Sequence, residues 1–332
     1  MNDNTIINGI IITFLAGDYL YHQYRFSRNK SIKGTAKIDN LIKNESAIKY
    51  YDYDERSKAR SDSYVFHFID VLNEKMLQED LKALNNNIKT LKLKKSPFHS
   101  MTLFFEGADQ CYQYKRNTIV TNYDNDENGN IYHELFHMAS TYNDYNNKIC
   151  YSGFSIEKGK DKFGIGLTEG YTELLTERYF RGKYKDMPNS YRYAVIYAEE
   201  IENLIGQEKM TSLYLNHDLK GLIKELEKYK SKEQIYEFLH ETDYIIKEKV
   251  GDNPFSPIIG KTDYNRDNFL KINSFLTDCY AKEVHGDNNL TENYIYNLDK
   301  KQNRINEMYS YSDKRNEMHI VETTKKKVKQ KD

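Results

Sequence analysis

The residues best suited to chemistry are two histidines and a glutamate in the segment Ile131-Tyr132-His133-Glu134-Leu135-Phe136-His137. Residues four apart on a helix lie one above the other on the same face, so we expect His133 and His137 to reach one metal ion. Zinc accepts neutral imidazole nitrogens at about 2.0–2.1 Å. Glu134 lies about 100° around the helix from His133, near the ion without being forced to ligate it. Its carboxylate is therefore suited to take a proton from a metal-bound water.

A second pair of residues follows in Gly166-Leu167-Thr168-Glu169-Gly170-Tyr171-Thr172-Glu173-Leu174-Leu175. A catalytic zinc site needs a third protein ligand and keeps its fourth position for water. Glu169 and Glu173 are again four apart on a predicted helix. One carboxylate is expected to ligate zinc, and the other to accept the Nδ1–H of a zinc-binding histidine. Gly170 lowers helix propensity, which fits a place where two helices approach closely.

The two motifs together, HELFH followed by TEGYTE, resemble the gluzincin group of zinc metallopeptidases, to which thermolysin belongs. The resemblance covers roughly residues 100–245. It implies a role for each of five residues: His133, His137 and Glu169 as zinc ligands, Glu134 as the general base, and Glu173 as the hydrogen-bond partner of an imidazole.

The resemblance also implies that Asn117–Thr121 is the edge strand along which an extended peptide is laid by backbone hydrogen bonds. Three features differ from the gluzincin pattern. Thr168 stands where many members have Asn. The 31 residues between His137 and Glu169 exceed the gap in thermolysin, so we expect a hairpin within them. No Gly-rich continuation of the metzincin type follows His137, so a third histidine ligand is not indicated.

A peptidase of this kind also needs a hydrogen-bond donor for the oxyanion of the tetrahedral intermediate. In gluzincins this donor usually comes from downstream of the helix that carries the third ligand. The sequence offers five candidates and does not choose among them: Tyr151, Tyr191, Tyr193, Tyr197 and His217.

The elements that position these residues are predicted to be mainly helices. A helix over about 131–142 has an apolar stripe opposite its histidines, and a second helix over 167–180 has Thr168 as its N-cap. Further predictions are a helix over 63–84, a helical stretch from 188 to about 244 with Leu219, Leu222, Ile223 and Leu226 on one face, strands at 101–105, 117–121 and 149–156, and mixed structure over 262–300.

Composition agrees with a mainly helical chain. The 332 residues are 39% hydrophobic, and 4 Pro and 16 Gly are few for this length, which favours long helices. We expect a predominantly helical α+β fold: a zincin-like catalytic domain with a small mixed sheet, an active-site helix and a helical C-terminal lobe. The predicted regions are a helical N-terminal region (1–95), the metallopeptidase core (96–250), and a helical or irregular C-terminal region with a polar tail (251–332).

Several classes of protein are disfavoured. With 49 Lys+Arg against 50 Asp+Glu, the net charge of -1 argues against nucleic acid as a partner. Three distant cysteines form neither a disulfide framework nor a zinc–thiolate motif. The apolar stretch at 6–16 is short for a membrane span and lacks the basic start of a secretory signal. We therefore expect a cytoplasmic protein without a membrane partner, and the sequence leaves its oligomeric state open.

The expected function is hydrolysis of peptide bonds, with one zinc ion per chain and a zinc-bound water activated by Glu134. The expected partner is a peptide or protein substrate. Three alternatives stay open at this point: a non-catalytic zincin-like module that binds a partner or senses metal, a zinc amidase acting on a non-peptide amide, and a helical interaction protein whose HExxH is accidental.

Overall fold

The structure is a computed structural model that describes residues 30–31, 34–43, 63–95, 110–121, 130–181, 191–250 and 264–305. The predicted N-terminal helix at 6–16, the strand at 101–105 and the end of the polar tail lie outside the described residues.

Helices make up most of the described chain, and two small mixed sheets complete a predominantly helical α+β fold, as the sequence predicts. The helices are α1 (Thr35–Lys43), α2 (Ser63–Lys75), α3 (Lys82–Asn87), α4 (Asn130–Ala139), α5 (Ile165–Thr176), α6 (Arg192–Ile205), α7 (Gln207–Leu215), α8 (Leu219–Leu226), α9 (Lys232–Val250), α10 (Tyr264–Glu283) and α11 (288–305). Short 3₁₀ helices cover Gln78–Leu81 and Tyr114–Arg116, and a π-helix covers Glu177–Arg181 directly after α5.

The strands are β1 (Lys30–Ser31), β2 (Lys92–Lys95), β3 (Gln110–Gln113), β4 (Thr118–Thr121), β5 (Thr141–Asp144), β6 (Ile149–Ser152), β7 (Ser155–Lys158) and β8 (Asp161–Phe163). The larger sheet has the order β1-β8-β7-β6-β5, in which β5 to β8 form an antiparallel meander and β1 pairs parallel to β8. The smaller sheet has the order β2-β4-β3, with β4 parallel to β2 and antiparallel to β3.

The prediction that residues 117–121 form the edge strand is wrong. Strand β4 lies in the middle of the smaller sheet, and among the strands that the structure describes β3 is the edge strand beside α4. The residues of a strand indicate that it pairs with another strand, but they do not indicate whether it has one partner or two. The second partner, β2, comes from more than twenty residues upstream, so this pairing is a tertiary contact.

The residues between the two motifs form the β5–β8 meander, so the predicted hairpin is present and extended to four strands. The strand predicted over 149–156 is in fact β6 and β7, joined at Gly153 and Phe154. Gly153 has φ 55°, and a Cβ there would collide with the Tyr214 ring. Glycine is the residue that accepts both constraints.

Two helix boundaries also differ from the predictions. Helix α4 ends at Ala139: the Ser140 N–H still donates to the Phe136 carbonyl, and beyond it the Thr141 hydroxyl donates to the His137 carbonyl. Tyr142 therefore lies on β5 instead of the helix. The predicted helix over 63–84 is interrupted after Lys75.

Thr168 is not an N-cap, because α5 already begins at Ile165. The Thr168 hydroxyl donates back to the Gly164 carbonyl and accepts from the Phe154 backbone N–H. Farther along the chain, residues 264–283 and 288–305 are helical where mixed structure is predicted. A left-handed turn at His285 and Gly286 separates the two helices.

One continuous apolar core joins the described elements, from Ile38 in α1 to Ile305 in α11. The predicted face of α8 is confirmed, since all four of its apolar residues are buried in this core. The division of the chain into three regions stays a prediction. Among the described helices, none is both long and apolar enough to span a bilayer.

Candidate metal centre

Helix α4 carries the HExxH motif on the side that faces α5. Its opposite side is anchored, because Leu135 and Met138 are fully buried as the apolar stripe predicts. Tyr132 stacks on Phe180 of the π-helix, with ring centroids 4.1 Å apart and planes 9° apart. These contacts fix the orientation of α4 about its axis, so that His133 and His137 face Glu169.

Three potential ligand atoms from two helices meet in a nearly equilateral triangle. Nε2 of His133 lies 3.1 Å from Nε2 of His137, and each nitrogen lies 3.2 Å from Oε2 of Glu169. A tetrahedral zinc ion with ligands at about 2.0–2.1 Å separates its ligand atoms by about 3.3 Å. The triangle therefore has close to the size that such an ion requires. Within the described residues, these three side chains form the one cluster whose geometry could hold a metal ion.

Glu173 determines how His133 presents its ring. Its carboxylate is buried and lies 2.9 Å from Nδ1 of His133. Since a carboxylate accepts, the hydrogen-bond network places a proton on Nδ1 and leaves Nε2 as the nitrogen that faces the triangle, where a metal ion would replace its proton. Lone pairs of two imidazoles and a carboxylate at this spacing repel one another unless positive charge lies between them. The donor set thus fits a cation with nitrogen and oxygen ligands.

The pKa shifts of the cluster have the same electrostatic origin. Burial disfavours a charged imidazole, yet the hydrogen bonds to Glu169 and Glu173 raise the pKa of His133 to about 10. Burial also opposes ionisation of Glu169, but the charges of and hydrogen bonds to His137 and His133 hold the pKa of that carboxyl well below its usual range. The cluster favours bound positive charge, and a metal ion competes with protons for it.

Helix α5, which carries both glutamates, is clamped between two other helices. A Cβ on Gly170 would collide with the carbonyl of Ala194 in α6, which confirms that this glycine marks a close helix approach. A Cβ on Gly166 would collide with the carbonyl of Thr242 in α9. The backbones therefore touch on both flanks of α5, and the position of Glu169 depends on α6 and α9.

Glu134, the expected general base, lies beside the triangle and is held by a strand. The backbone N–H of Tyr112 in β3 donates to Oε2 of Glu134 over 2.6 Å. Glu134 is partly buried, and it is absent from the ligand triangle, as the sequence predicts for a base. Because Tyr112 pairs with Ile119 on β4 and also donates to Glu134, its outward edge faces the metal centre.

Among the five candidates for the oxyanion donor, Tyr191 lies against the site. Its ring stacks on that of His133, with centroids 5.4 Å apart and planes 11° apart. The charge of Glu169, followed by burial and the charges of Glu134 and Glu173, raises the pKa of Tyr191 well above its usual range. The phenol therefore keeps its proton and can donate a hydrogen bond. A buried ion pair between Arg192 and Glu177 holds the adjacent residue.

The other four candidates are packed elsewhere. Tyr151 directs its hydroxyl toward the carbonyl of Leu41, and Tyr193 packs on Phe269. The hydroxyl of Tyr197 accepts from Gln302. His217 stacks on Tyr142, and burial lowers its pKa to about 3.

Two contributors to the site are missed by sequence reasoning. The Tyr112 N–H is a backbone group, and its partner is a tertiary contact that no residue pattern encodes. Asp243 in α9 accepts from the backbone N–H groups of Gly164 and Gly166 at the start of α5, although it lies more than seventy residues downstream. The sequence shows neither juxtaposition.

In comparisons with known proteins, no protein-family model, curated protein or solved structure matches this chain.

Proposed function

We propose that this protein is a zinc-dependent metallopeptidase of the gluzincin type, in which His133, His137 and Glu169 hold one zinc ion per chain. The observation that supports this most directly is the 3.1–3.2 Å triangle of two imidazole nitrogens and one carboxylate oxygen. Two protein nitrogens, one oxygen and an open fourth position constitute a catalytic type of zinc site, whereas structural sites are closed by four protein ligands.

Each residue around the triangle has a distinct task in the proposed reaction. When bound, zinc would supply Lewis acidity, polarising the scissile carbonyl and making water acidic enough to attack at neutral pH. Glu134 accepts the proton of the attacking water and passes it to the leaving amine. Glu173 holds His133 in the tautomer that presents Nε2. Tyr191 donates its phenolic hydrogen to the developing oxyanion.

Strand β3 is the proposed place for the substrate backbone. Both outer strands of the smaller sheet have an edge, but they differ in charge. Strand β2 reads Lys-Leu-Lys-Lys, and lysines on an edge strand discourage the addition of another strand. Strand β3 reads Gln-Cys-Tyr-Gln and carries no charge. The Tyr112 N–H on its edge donates to Glu134, so an extended peptide that paired there would take over this N–H and lie beside the base.

The proposal is tested by measuring zinc per chain on purified full-length protein by elemental analysis, together with cleavage of a peptide library. We expect about one zinc in the wild type and loss of that zinc in His137→Ala, because two ligands do not hold the ion tightly. Glu134→Gln is expected to keep its zinc and lose turnover, because an amide cannot accept the proton.

Each other outcome is informative. A folded wild type that takes up no zinc, even when zinc is supplied, would overturn the proposal. Zinc binding without cleavage of any peptide would leave a non-catalytic module or an amidase for other amides. Loss of zinc in Glu134→Gln would remove the base assignment.

A further inference from the structure

The helix that carries Glu169 and Glu173 is held at its start by a side chain from another helix. Gly164 precedes α5 and has φ 77°, and its N–H donates to Oδ2 of Asp243 over 3.0 Å. The N–H of Gly166 donates to Oδ1 of the same carboxylate over 2.8 Å. Asp243 is almost completely buried in α9. One carboxylate thus satisfies two of the N–H groups that a helix start leaves without helical partners.

The same place contains a backbone contact that allows little displacement. The Thr242 carbonyl, one residue before Asp243, touches Gly166 so closely that a Cβ would overlap it. Gly166 lies about 60° around the helix from Glu169, within one turn. A shift of α5 along or away from α9 would therefore move Glu169 directly.

The metal triangle has little tolerance for such a shift. Its three sides differ by only 0.1 Å, and two of them end on Glu169 Oε2. The histidines lie on α4, whose far side is buried in the apolar core. Glu169 is carried by α5 itself, so a movement of α5 relative to α4 changes both sides of the triangle that end on Glu169.

We propose that Asp243 is a positioning residue for the metal centre: by tying the start of α5 to α9, it sets the distance of the Glu169 carboxylate from His133 and His137. This inference rests on the proposed metal site and extends it to α9. The interaction is charge-assisted, since a carboxylate at a helix N-terminus meets both N–H donors and the positive end of the helix dipole.

The chain provides a matched control. Asp218 precedes α8, and its carboxylate accepts from the N–H of Gly221 over 2.7 Å. It is also an aspartate at a helix start, but it caps its own helix, and α8 carries none of the proposed site residues. Asp218→Asn therefore removes the charge of a capping carboxylate, as Asp243→Asn does, without moving Glu169.

The experiment is a titration of metal-free full-length protein with zinc and, in parallel, with cobalt(II), whose visible absorption reports coordination geometry. Outer partners of metal ligands typically contribute 10–100-fold to affinity. We expect Asp243→Asn to weaken zinc binding by about tenfold or more and to alter the cobalt spectrum. Asp218→Asn is expected to change neither the zinc affinity nor the cobalt spectrum, even if it lowers the unfolding temperature as much as Asp243→Asn does.

A second variant tests the positioning without altering the Asp243 carboxylate. Gly166→Ala keeps Asp243 but pushes α5 away from α9, because the added Cβ overlaps the Thr242 carbonyl. It should therefore weaken zinc binding as Asp243→Asn does. It serves as the second variant should Asp243→Asn fold poorly.

The inference is overturned if Asp243→Asn or a folded Gly166→Ala binds zinc with wild-type affinity and an unchanged cobalt spectrum. It is also overturned if Asp218→Asn weakens zinc binding equally. These outcomes differ from failure of the metal site itself, in which the wild type would bind no zinc.

Discussion

At the scale of single residues, His133 occupies the centre of the site. One ring nitrogen faces Glu173, the other faces His137 and Glu169, and the ring face lies on Tyr191. Each neighbour constrains a different freedom of the imidazole: its tautomer, its direction and its rotation. A ligand held on all sides needs little reorganisation to bind a metal ion, and this preorganisation supports the proposed function.

Tyr191→Phe tests the role of the phenolic hydroxyl. The variant keeps the ring that stacks on His133 and loses only the donor, so zinc content and KM should stay close to wild type. Loss of one oxyanion donor typically lowers kcat by about 10²–10³-fold, and we expect a decrease in that range with a peptide found in the library. Steady-state kinetics together with zinc analysis would measure it.

Tyr193→Phe is the matched control, because that tyrosine packs on Phe269. An unchanged kcat in Tyr191→Phe would refute the assignment, as would an equal decrease in both variants.

At the scale of elements, α5 lies between α6 and α9 with glycines at both contacts. The close approach brings Tyr191, at the start of α6, beside the histidines. Partly buried ion pairs add to the α5–α6 contact just beyond α5, where Arg178 meets Glu202 and Glu177 meets Arg192. Gly170 is therefore required by packing, although it is a poor helix former.

Gly170→Ala distinguishes packing from helix propensity, because the two predict opposite signs. Propensity alone would stabilise the protein by about 1 kcal/mol. Steric overlap with the Ala194 carbonyl costs about 1–3 kcal/mol, and a backbone carbonyl cannot move aside as a flexible side chain can. We expect net destabilisation in chemical denaturation. An increase in the free energy of unfolding would contradict the close contact.

At the scale of the whole molecule, the metal centre lies where elements distant in sequence converge. Helix α2, from the N-terminal part of the chain, packs behind α4 through Phe68, whose ring lies 5.0 Å from that of Phe136. Helix α9 packs on α5 and on strand β8. Since one apolar core joins these elements, global stability and the geometry of the site are coupled.

His217 makes that stability dependent on pH. Burial between Tyr142 and Tyr151 lowers its pKa from the usual 6.5 to about 3. As pH falls below 6.5, the unfolded chain takes up a proton that the native state refuses, so stability is lost on acidification. Between pH 7 and pH 5, this one group should reduce the free energy of unfolding by about 2 kcal/mol.

His217→Asn isolates the effect, because Asn tolerates the φ of 45° at this position and does not titrate. Urea denaturation at pH 7 and pH 5 should show a smaller loss of stability in the variant than in the wild type. Equal losses in both proteins would show that the native state does not lower the pKa of His217.

Local sequence patterns predicted the helical character of the chain, the stripe on α8 and the location of the two motif helices. Such features depend on spacing within one element, which the sequence displays directly. The boundaries were less accurate, as with Tyr142 and Thr168, because hydroxyl side chains and distant partners ended or began those helices.

The sequence by itself determined which residues are candidates to bind a metal: His133 and His137 share one helix face, and Glu169 and Glu173 share another, because helical periodicity is local. Only the tertiary structure decided that these faces meet, that Tyr191 is the neighbouring tyrosine, that β3 is the described strand beside Glu134, and that Asp243 ties α5 to α9. These are contacts between segments far apart in the chain, and they depend on how the whole core packs.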